Sequence, residues 1–288
     1  WSNRMSGVSY ATLAQLRTEL VASGTGDDTV ILDYGRRMTD AIDTYVTRRW
    51  QPMTFAPRRV TRYYDCSYGG HILLGGNRLE LDAPFVAFTS VTDGEGTVLV
   101  ANTDYYALPR GETPQTALYR YDGTRWTSYS GDTYVEQIAI VGDMCYRTHY
   151  TEAWVSATTI TEPMSDTTGT TITTATNTIL SPGMLIRIDS EWMTVESGSG
   201  TSWVVNRGER GSTAATHVDN SVIYRFIPEP TITRALLRWA SLVFKRRGQF
   251  EQTTFDGTAS VQFPEGMPQE VTQLLEHGGW TNVRPILV

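Results

Sequence analysis

The stretch from Asp27 to Trp50 constrains the fold most, because it predicts one long amphipathic helix. Its apolar side chains recur at three- and four-residue spacing and share one helical face: Ile31, Tyr34, Met38, Ile42 and Tyr45. Asp27 and Asp28 favour a helix start, Arg48 and Arg49 complement the dipole at its end, and Pro52 prevents continuation. A single helix cannot bury such a face alone, so partner helices are expected.

A second helix is predicted from Pro230 to Gly248, near the other end of the chain. Pro230 suits the first turn, and Gly248 suits the position after the last. The apolar face comprises Ile232, Leu236, Trp239, Ala240 and Val243. We therefore expect the two chain ends to fold together as a helical platform.

Two shorter helices complete the predicted helical part. One covers Ser9–Val21, with Ser9 as the candidate N-cap, and the other covers Pro268–His277. The last residues, 280–288, read WTNVRPILV and form an apolar tail without an obvious partner in the sequence.

At Arg58 the hydrophobic period changes from about 3.6 to 2, which indicates strands. Short alternating segments follow one another as far as residue 157, separated by Gly, Pro and Asp. The stretch Asp93–Gly96, DGEG, is predicted to be a hairpin turn. These features favour an antiparallel β unit.

A second, small β unit is predicted after the threonine-rich segment 158–178. Its strands are GMLIRID, EWMTVES, TSWVVNRG and SVIYRF. The predicted fold class is therefore α+β, with a helical bundle built from both chain ends. The predicted parts are helical residues 1–57, β unit 58–157, inserted β domain 158–227, and C-terminal helices with the tail 228–288.

The composition excludes some classes of protein. The formal net charge of −7 disfavours free binding to nucleic-acid backbone as the main role. No apolar run reaches the eighteen residues of a membrane span, so a soluble protein without a signal peptide is expected. Cys66 and Cys145 are interpreted as small buried hydrophobic residues rather than a disulfide.

The sequence contains no recognisable catalytic, metal or cofactor motif. The four histidines are scattered, and no nucleophile elbow or metal-ligand spacing occurs. The stretch Gly208–Thr213, GERGST, lacks the lysine of a phosphate loop and is interpreted as a turn between strands. Asp189 and Glu191 could serve as an acid and a base, but an exposed polar strand face explains them equally well and is favoured.

Aromatic residues are abundant and are the usual anchors of protein interfaces. The candidate interface residues are Tyr34, Tyr45, Trp50, Trp239, Trp280, Val283, Ile286 and Leu287. Basic side chains at the two long helix ends are candidates for lying near DNA, although dipole complementarity also accounts for them: Arg48, Arg49, Lys245, Arg246 and Arg247.

The order of several segments resembles the head-tail connector proteins of tailed bacteriophages, also called adaptor or head-completion proteins. The matching segments are YATLAQLRTEL, AIDTYVTRRW, RRVTRYYDC, LELDAPFVAFTSVTDGEGTVLVANTDYYALPR and IAIVGDMCYR. The later stretch with IDSE and NRGERGSTAATH is similar to a small β module of phage virion proteins. The compact members of the family are mainly helical, so the large β content here departs from them.

The resemblance implies a structural virion protein at the neck, assembled in the host cytoplasm. It implies a ring, commonly a dodecamer, that docks on the portal protein and leads to a neck, stopper or tail protein. Double-stranded DNA would pass through the centre without sequence-specific contacts, and the apolar tail would be a candidate arm for the portal. Two alternatives stay open: a tail or receptor-facing virion component, and a polysaccharide-degrading enzyme.

Overall fold

The computed structural model describes residues 7–22, 24–47, 54–67, 70–121, 123–176, 180–246 and 267–278. These residues contain four α-helices and twelve β-strands. The helices are α1 (Leu13–Leu20), α2 (Asp28–Val46), α3 (Pro230–Arg246) and α4 (Gln269–His277). The strands are β1 (Arg58–Tyr64), β2 (Ile72–Leu73), β3 (Arg78–Thr92), β4 (Tyr105–Leu108), β5 (Gln115–Arg120), β6 (Ile138–Met144), β7 (Trp154–Thr159), β8 (Thr171–Thr173), β9 (Leu185–Ile188), β10 (Glu191–Ser199), β11 (Ser202–Asn206) and β12 (Val222–Phe226).

The chain divides into two compact units. Unit 1 consists of residues 1–46, 156–207 and 214–288, and unit 2 consists of residues 47–155 and 208–213. Unit 1 contains the helices and most of one six-stranded sheet, and unit 2 contains the other six-stranded sheet. The four-part division expected from the sequence is finer and stays a prediction.

The sheet of unit 2 is antiparallel. Its strand order is β1-β6-β3-β5-β4, with β2 paired to β3. Strand β3 is long and bends at three register shifts, pairing β5 through its first part and β6 through its second. The Tyr64 hydroxyl on β1 donates to the Asp82 carboxylate on β3 at 2.6 Å, although β1 and β3 are not neighbours in the sheet. The hydrophobic core of this unit includes Phe85, Leu118 and Trp126.

The other sheet is also antiparallel, with the order β7-β12-β9-β10-β11-β8. Ile188 and Glu191 are direct partners in the β9–β10 ladder, so only Asp189 and Ser190 form the turn between these strands. Asp189 has a positive φ of 51°. The core of this sheet includes Ile186, Met193 and Val205, all fully buried.

The helices of unit 1 contact one another: α1 contacts α2 and α3, and α3 also contacts α2 and α4. Thr233 on α3 donates its hydroxyl to the Tyr10 carbonyl at 2.8 Å. Arg36 on α2 forms a two-point ion pair with Glu196 on β10, at 3.2 and 2.7 Å. The long helices are therefore held both to each other and to the adjacent sheet.

The predicted fold class is wrong. The described residues form a mostly β protein with two antiparallel sheets of six strands, not an α+β protein whose frame is a helical bundle from both chain ends. The helical segments gave the clearest periodic signals in the sequence. Strand β7 overlaps the start of the threonine-rich segment 158–178, and strand β8 lies within it. This segment has no clear alternating pattern, so the signal for a sheet there was weaker.

Two local predictions are wrong and one is confirmed. The N-cap of α1 is Thr12 rather than Ser9, because Thr12 and Gln15 form a reciprocal capping box. Helix α2 spans Asp28–Val46, which is shorter than the predicted stretch. The DGEG turn is confirmed, since the Gly96 N–H donates to the Asp93 carbonyl at 3.0 Å.

Candidate assembly surface

Exposed tyrosines are concentrated on unit 2. In the described part of the chain, Tyr63, Tyr121, Tyr129 and Tyr134 of unit 2 expose 44–57% of their surface. The corresponding tyrosine in unit 1 is Tyr45, at 42%. Because clustered exposed aromatic side chains often mark interaction sites, unit 2 carries the strongest candidate for a functional surface.

Three tyrosines form the centre of this candidate: Tyr106 on β4 and Tyr119 on β5, both half-buried, and the exposed Tyr121 directly after β5. Tyr106 is the direct cross-strand partner of Tyr119, and their ring centroids are 5.2 Å apart. The centroid of Tyr121 lies 4.7 Å from that of Tyr106. Strand alternation explains the arrangement, because Tyr105 and Leu118, which directly precede Tyr106 and Tyr119, lie in the core. We call Tyr106, Tyr119 and Tyr121, together with Arg110, the tyrosine platform.

Arg110 supplies the positive charge of the platform. Its guanidinium carbon lies 5.0 Å from the centroid of Tyr106 and 6.0 Å from that of Tyr121, within cation–π range. The side chain is exposed, and it forms no ion pair with a carboxylate among the described residues. The platform therefore presents partly exposed aromatic rings beside a guanidinium that has no acidic partner among the described residues.

A buried ion pair supports the strands and loops next to the platform. The guanidinium of Arg120 lies 3.2 Å from the Asp93 carboxylate, and it also lies over the ring of Trp126 at 5.4 Å. The same carboxylate accepts the N–H groups of Glu95 and Thr97, which fixes the turn after β3. These contacts hold the end of β5, and so the start of the Tyr121 loop, against the core.

The loops at residues 93–104 and 121–137 are packed closely together. The Ser130 N–H donates to the Gly94 carbonyl at 3.1 Å, and Gly94 forms a β-bridge with Tyr129. A Cβ at Gly94 would lie 2.3 Å from the Ser128 carbonyl oxygen and 2.4 Å from the Cys66 Sγ. Only glycine fits this close approach, so the exposed tyrosines of these loops have a tightly packed base.

Burial and nearby carboxylates keep several groups of unit 2 neutral. Burial, with the charges of Asp93 and Asp65, raises the pKa of Cys66 to about 11. Burial and the Asp82 carboxylate raise the pKa of Tyr64 far above its usual range. Both cysteines are free and buried, which confirms the interpretation of Cys66 and Cys145 as buried hydrophobic residues. A buried thiol with a raised pKa is a poor nucleophile at neutral pH.

Unit 1 carries a different candidate, a buried network of charges around Glu191. The Glu191 carboxylate is fully buried and pairs with Arg207 through two hydrogen bonds of 3.0 and 2.7 Å. It also accepts the Ala215 N–H at 2.8 Å. The favoured interpretation of Asp189 and Glu191 was an exposed polar strand face. It is wrong for Glu191, which is fully buried, whereas the Asp189 side chain is 66% exposed.

His217 lies between these two acidic residues. Its Nδ1 is 2.8 Å from Asp189 Oδ2 and its Nε2 is 2.9 Å from Glu191 Oε2. Arg207 also donates to the carbonyls of Asp166 and Ala215. The network joins the loop at Asp166, the β9–β10 turn and the segment leading to β12, so its evident role is to hold these backbone segments together. In the part of the chain that the structure describes, no group of three or more His, Cys, Asp or Glu side chains could hold a metal ion.

The residues singled out from the sequence occupy varied positions. Tyr34 and Tyr45 lie on α2, half-buried and exposed respectively, and Trp239 is half-buried on α3. Lys245 and Arg246 belong to the last turn of α3, but their side chains are outside the description. The other candidates lie outside the described residues: Arg48, Arg49, Trp50, Arg247, Trp280, Val283, Ile286 and Leu287. Their interface and DNA-contact roles stay predictions.

Sequence reasoning missed the tyrosine platform, although its signal was present. The segment TALYRYD places Tyr119 and Tyr121 at alternate positions, on one side of the strand, and TDYYALPR places Tyr105 and Tyr106 at adjacent positions, on opposite sides. What the sequence lacked was the pairing of β4 with β5, which brings Tyr106 opposite Tyr119. The Glu191 network was missed because its side chains, those of Asp189, Glu191, Arg207 and His217, are separated by up to 28 residues along the chain.

The helices that are described are too short or too polar to cross a lipid bilayer. Comparison of the chain with protein families, with curated proteins and with solved structures found no match.

Proposed function

We propose that this protein is a head-tail connector, or adaptor, of a tailed bacteriophage. In this proposal it is a structural component without catalytic activity, assembled in the host cytoplasm and located at the neck of the virion. Copies of the chain form a ring between the portal protein and the neck, stopper or tail proteins. Double-stranded DNA passes through the ring without sequence-specific contacts.

The tyrosine platform is the observation that carries the assembly role. Tyrosine and arginine are enriched among the residues that dominate binding energy at protein interfaces. Tyr106, Tyr119 and Tyr121 already stack on one another, and Arg110 lies over two of the rings. Because these side chains already pack against one another within the subunit, association costs less conformational entropy.

A ring also requires a second, different contact surface on each subunit, because neighbours in a ring meet through heterologous interfaces. Helix α2 offers one in unit 1. Tyr34 and Tyr45 are eleven residues apart, close to three helical turns, and therefore lie on one stripe of the helix. Tyr45 and Val30 are 42% and 41% exposed.

The order of the segments supports the neck as the place of assembly. The short helix, the long helix, the RRVTRYYDC strand and the FTSVTDGEG turn region follow in the order found in connector proteins. The negative charge supports the passage of DNA, since a ring whose subunits each carry −7 repels the phosphate backbone and limits sticking.

Negative-stain images test this proposal directly. The purified chain is imaged alone and together with the portal protein encoded by the same genome. Closed rings, alone or seated on the portal, are the expected result. Discrete trimers would contradict the proposal and favour a tail or receptor-facing component, and turnover of a polysaccharide by the purified chain would favour an enzyme.

A further inference from the structure

We propose that the tyrosine platform binds the neighbouring copy of this same chain, and that Arg110 receives a carboxylate from that copy. This inference rests on the proposed function and specifies which surface makes the contact between subunits. It assigns the platform to subunit–subunit contact rather than to the portal, the tail or DNA.

Charge complementarity indicates the occupant. Arg110 has two tyrosine rings but no carboxylate partner among the described residues. The chain contains 31 acidic and 24 basic residues, so another copy presents a surface with an excess of carboxylates. A guanidinium backed by aromatic rings is less hydrated than a lysine ammonium and forms strong two-point bonds with a carboxylate.

The hydroxyl groups of the three tyrosines are available for hydrogen bonds to a partner. Within the described residues their hydroxyl groups make no hydrogen bond to another side chain or to the backbone, while their rings stack on each other. The hydroxyls can therefore bond a partner at the rim while the rings bury apolar surface at the centre. Such amphipathic side chains are typical of the central residues of an interface.

The contact is made through side chains rather than by addition of a strand. Strand β4 is at the edge of its sheet, but it has only four residues and is followed by Pro109. Its first carbonyl, at Tyr105, already accepts the Asn102 N–H at 2.7 Å. Short edge strands that end at proline resist pairing with another strand, so the outer face with its tyrosines is the accessible part.

Charge reversal and ring removal test the platform. We expect R110E and Tyr121→Ser each to weaken self-association about 30-fold or more, the effect of losing a central interface residue. Tyr121→Phe keeps the ring and should retain most of the association. The control is R234E, which reverses an exposed arginine on α3 in unit 1. Association is measured by sedimentation velocity, and unfolding temperatures confirm that each variant folds.

Two outcomes of this series would overturn the inference. Equal weakening by R110E and R234E would mean that overall charge controls association. Unchanged association in folded R110E and Tyr121→Ser proteins would mean that the platform lies outside the subunit contact.

A photo-crosslinker in place of Tyr121 gives an independent readout in the assembled state, formed alone or on the portal. We expect crosslinks to a second copy, mapped by mass spectrometry to a peptide that contains Asp or Glu. Crosslinks only to the portal, to DNA or within one chain would overturn the inference while leaving the ring intact. Failure of the chain to form any ring would instead overturn both this inference and the proposed function.

Discussion

The two units differ in where their charged and aromatic side chains lie. Unit 1 buries a full charge network, in which Glu191 and the His217 side chain are completely inaccessible and the Arg207 side chain is 5% exposed. Unit 2 also buries an ion pair, Arg120 with Asp93, but it places several large tyrosines on its surface. In unit 1, buried charged contacts hold the loops together. In unit 2, buried contacts hold loops that carry exposed tyrosines.

Stability and assembly therefore depend on different residues of the molecule. Removing one member of a buried ion pair leaves a charge without compensation and is costly. Removing an exposed tyrosine changes the isolated subunit little, since surface substitutions away from special contacts have small effects on stability. Mutations in the Glu191 network should therefore act mainly on folding, and mutations at the platform should act mainly on association.

The largest expected effect comes from Arg207→Ala. The substitution leaves the buried Glu191 carboxylate without its guanidinium, so we expect the free energy of unfolding to fall by about 3–5 kcal/mol. Chemical denaturation measures it. The matched control is Arg37→Ala, which breaks an exposed pair with Asp33 at 2.8 Å and should cost less than about 1 kcal/mol. Equal losses in the two variants would show that the buried network stabilises the fold no more than an exposed ion pair does.

Gly94→Ala tests the packed base of the loops in unit 2. The new methyl group would collide with the Ser128 carbonyl and the Cys66 thiol, so we expect a loss of about 1–3 kcal/mol in the free energy of unfolding. Gly70→Ala in the same unit is the control, because no atom lies within 4 Å of a Cβ there. If Gly94→Ala proved as stable as Gly70→Ala, the tight contact between the two loops would be refuted.

Alkaline pH should weaken unit 2 more than unit 1. The pKa values of Cys66, Cys145, Tyr64 and Tyr105 are all raised, chiefly by burial, and all four residues are in unit 2. Each folded-state pKa exceeds the unfolded value, so the unfolded chain loses these protons first. The stabilisation is complete below about pH 9 and declines as the pH rises.

The pKa of Cys66, at about 11, defines a window for measurement. Chemical denaturation between pH 8 and 11 should show a falling free energy of unfolding above pH 9, and Cys66→Ala should reduce the decline. If the free energy of unfolding of the unmodified chain stayed constant over this range, the raised pKa of Cys66 would be contradicted.

The smallest effect is expected at the start of α1 in unit 1. Thr12 accepts the Gln15 N–H at 3.1 Å, and Gln15 accepts the Thr12 N–H at 2.9 Å. Thr12→Ala should lower the free energy of unfolding by about 1 kcal/mol. Thr44→Ala is the control, since its hydroxyl bonds only a carbonyl within α2 and contributes little to stability. Thermal unfolding compares them, and no difference between the variants would exclude a stabilising cap.

The helical periodicity predicted α2 and α3 well but misplaced part of the buried face. Ile31, Met38 and Ile42 are buried as expected, whereas Tyr45 is exposed and Val46 is buried instead. Additional α2 residues such as Leu32 also face the interior, where Leu32 lies close to Gly183 of the neighbouring sheet region. Contacts with elements far away in the chain decide which side of the helix is buried, and the period alone cannot supply them.

Strand patterns predicted the existence of two β units but not the pairing within them. Strand β3 continues through Pro84, because the register shift between Glu80 and Phe85 accommodates the proline. Asp189 and Glu191 were expected on one strand face, but Asp189 lies in the turn before β10. This turn, rather than strand alternation, sets the different exposure of the two carboxylates.

The mass of the assembled protein tests the central claim most directly. Native mass spectrometry of the purified chain, alone and with the portal protein, should detect a closed assembly with a mass near twelve times that of the 32.1 kDa chain. R110E should shift this assembly towards single subunits. A chain that stays monomeric or forms only trimers under both conditions would contradict the ring.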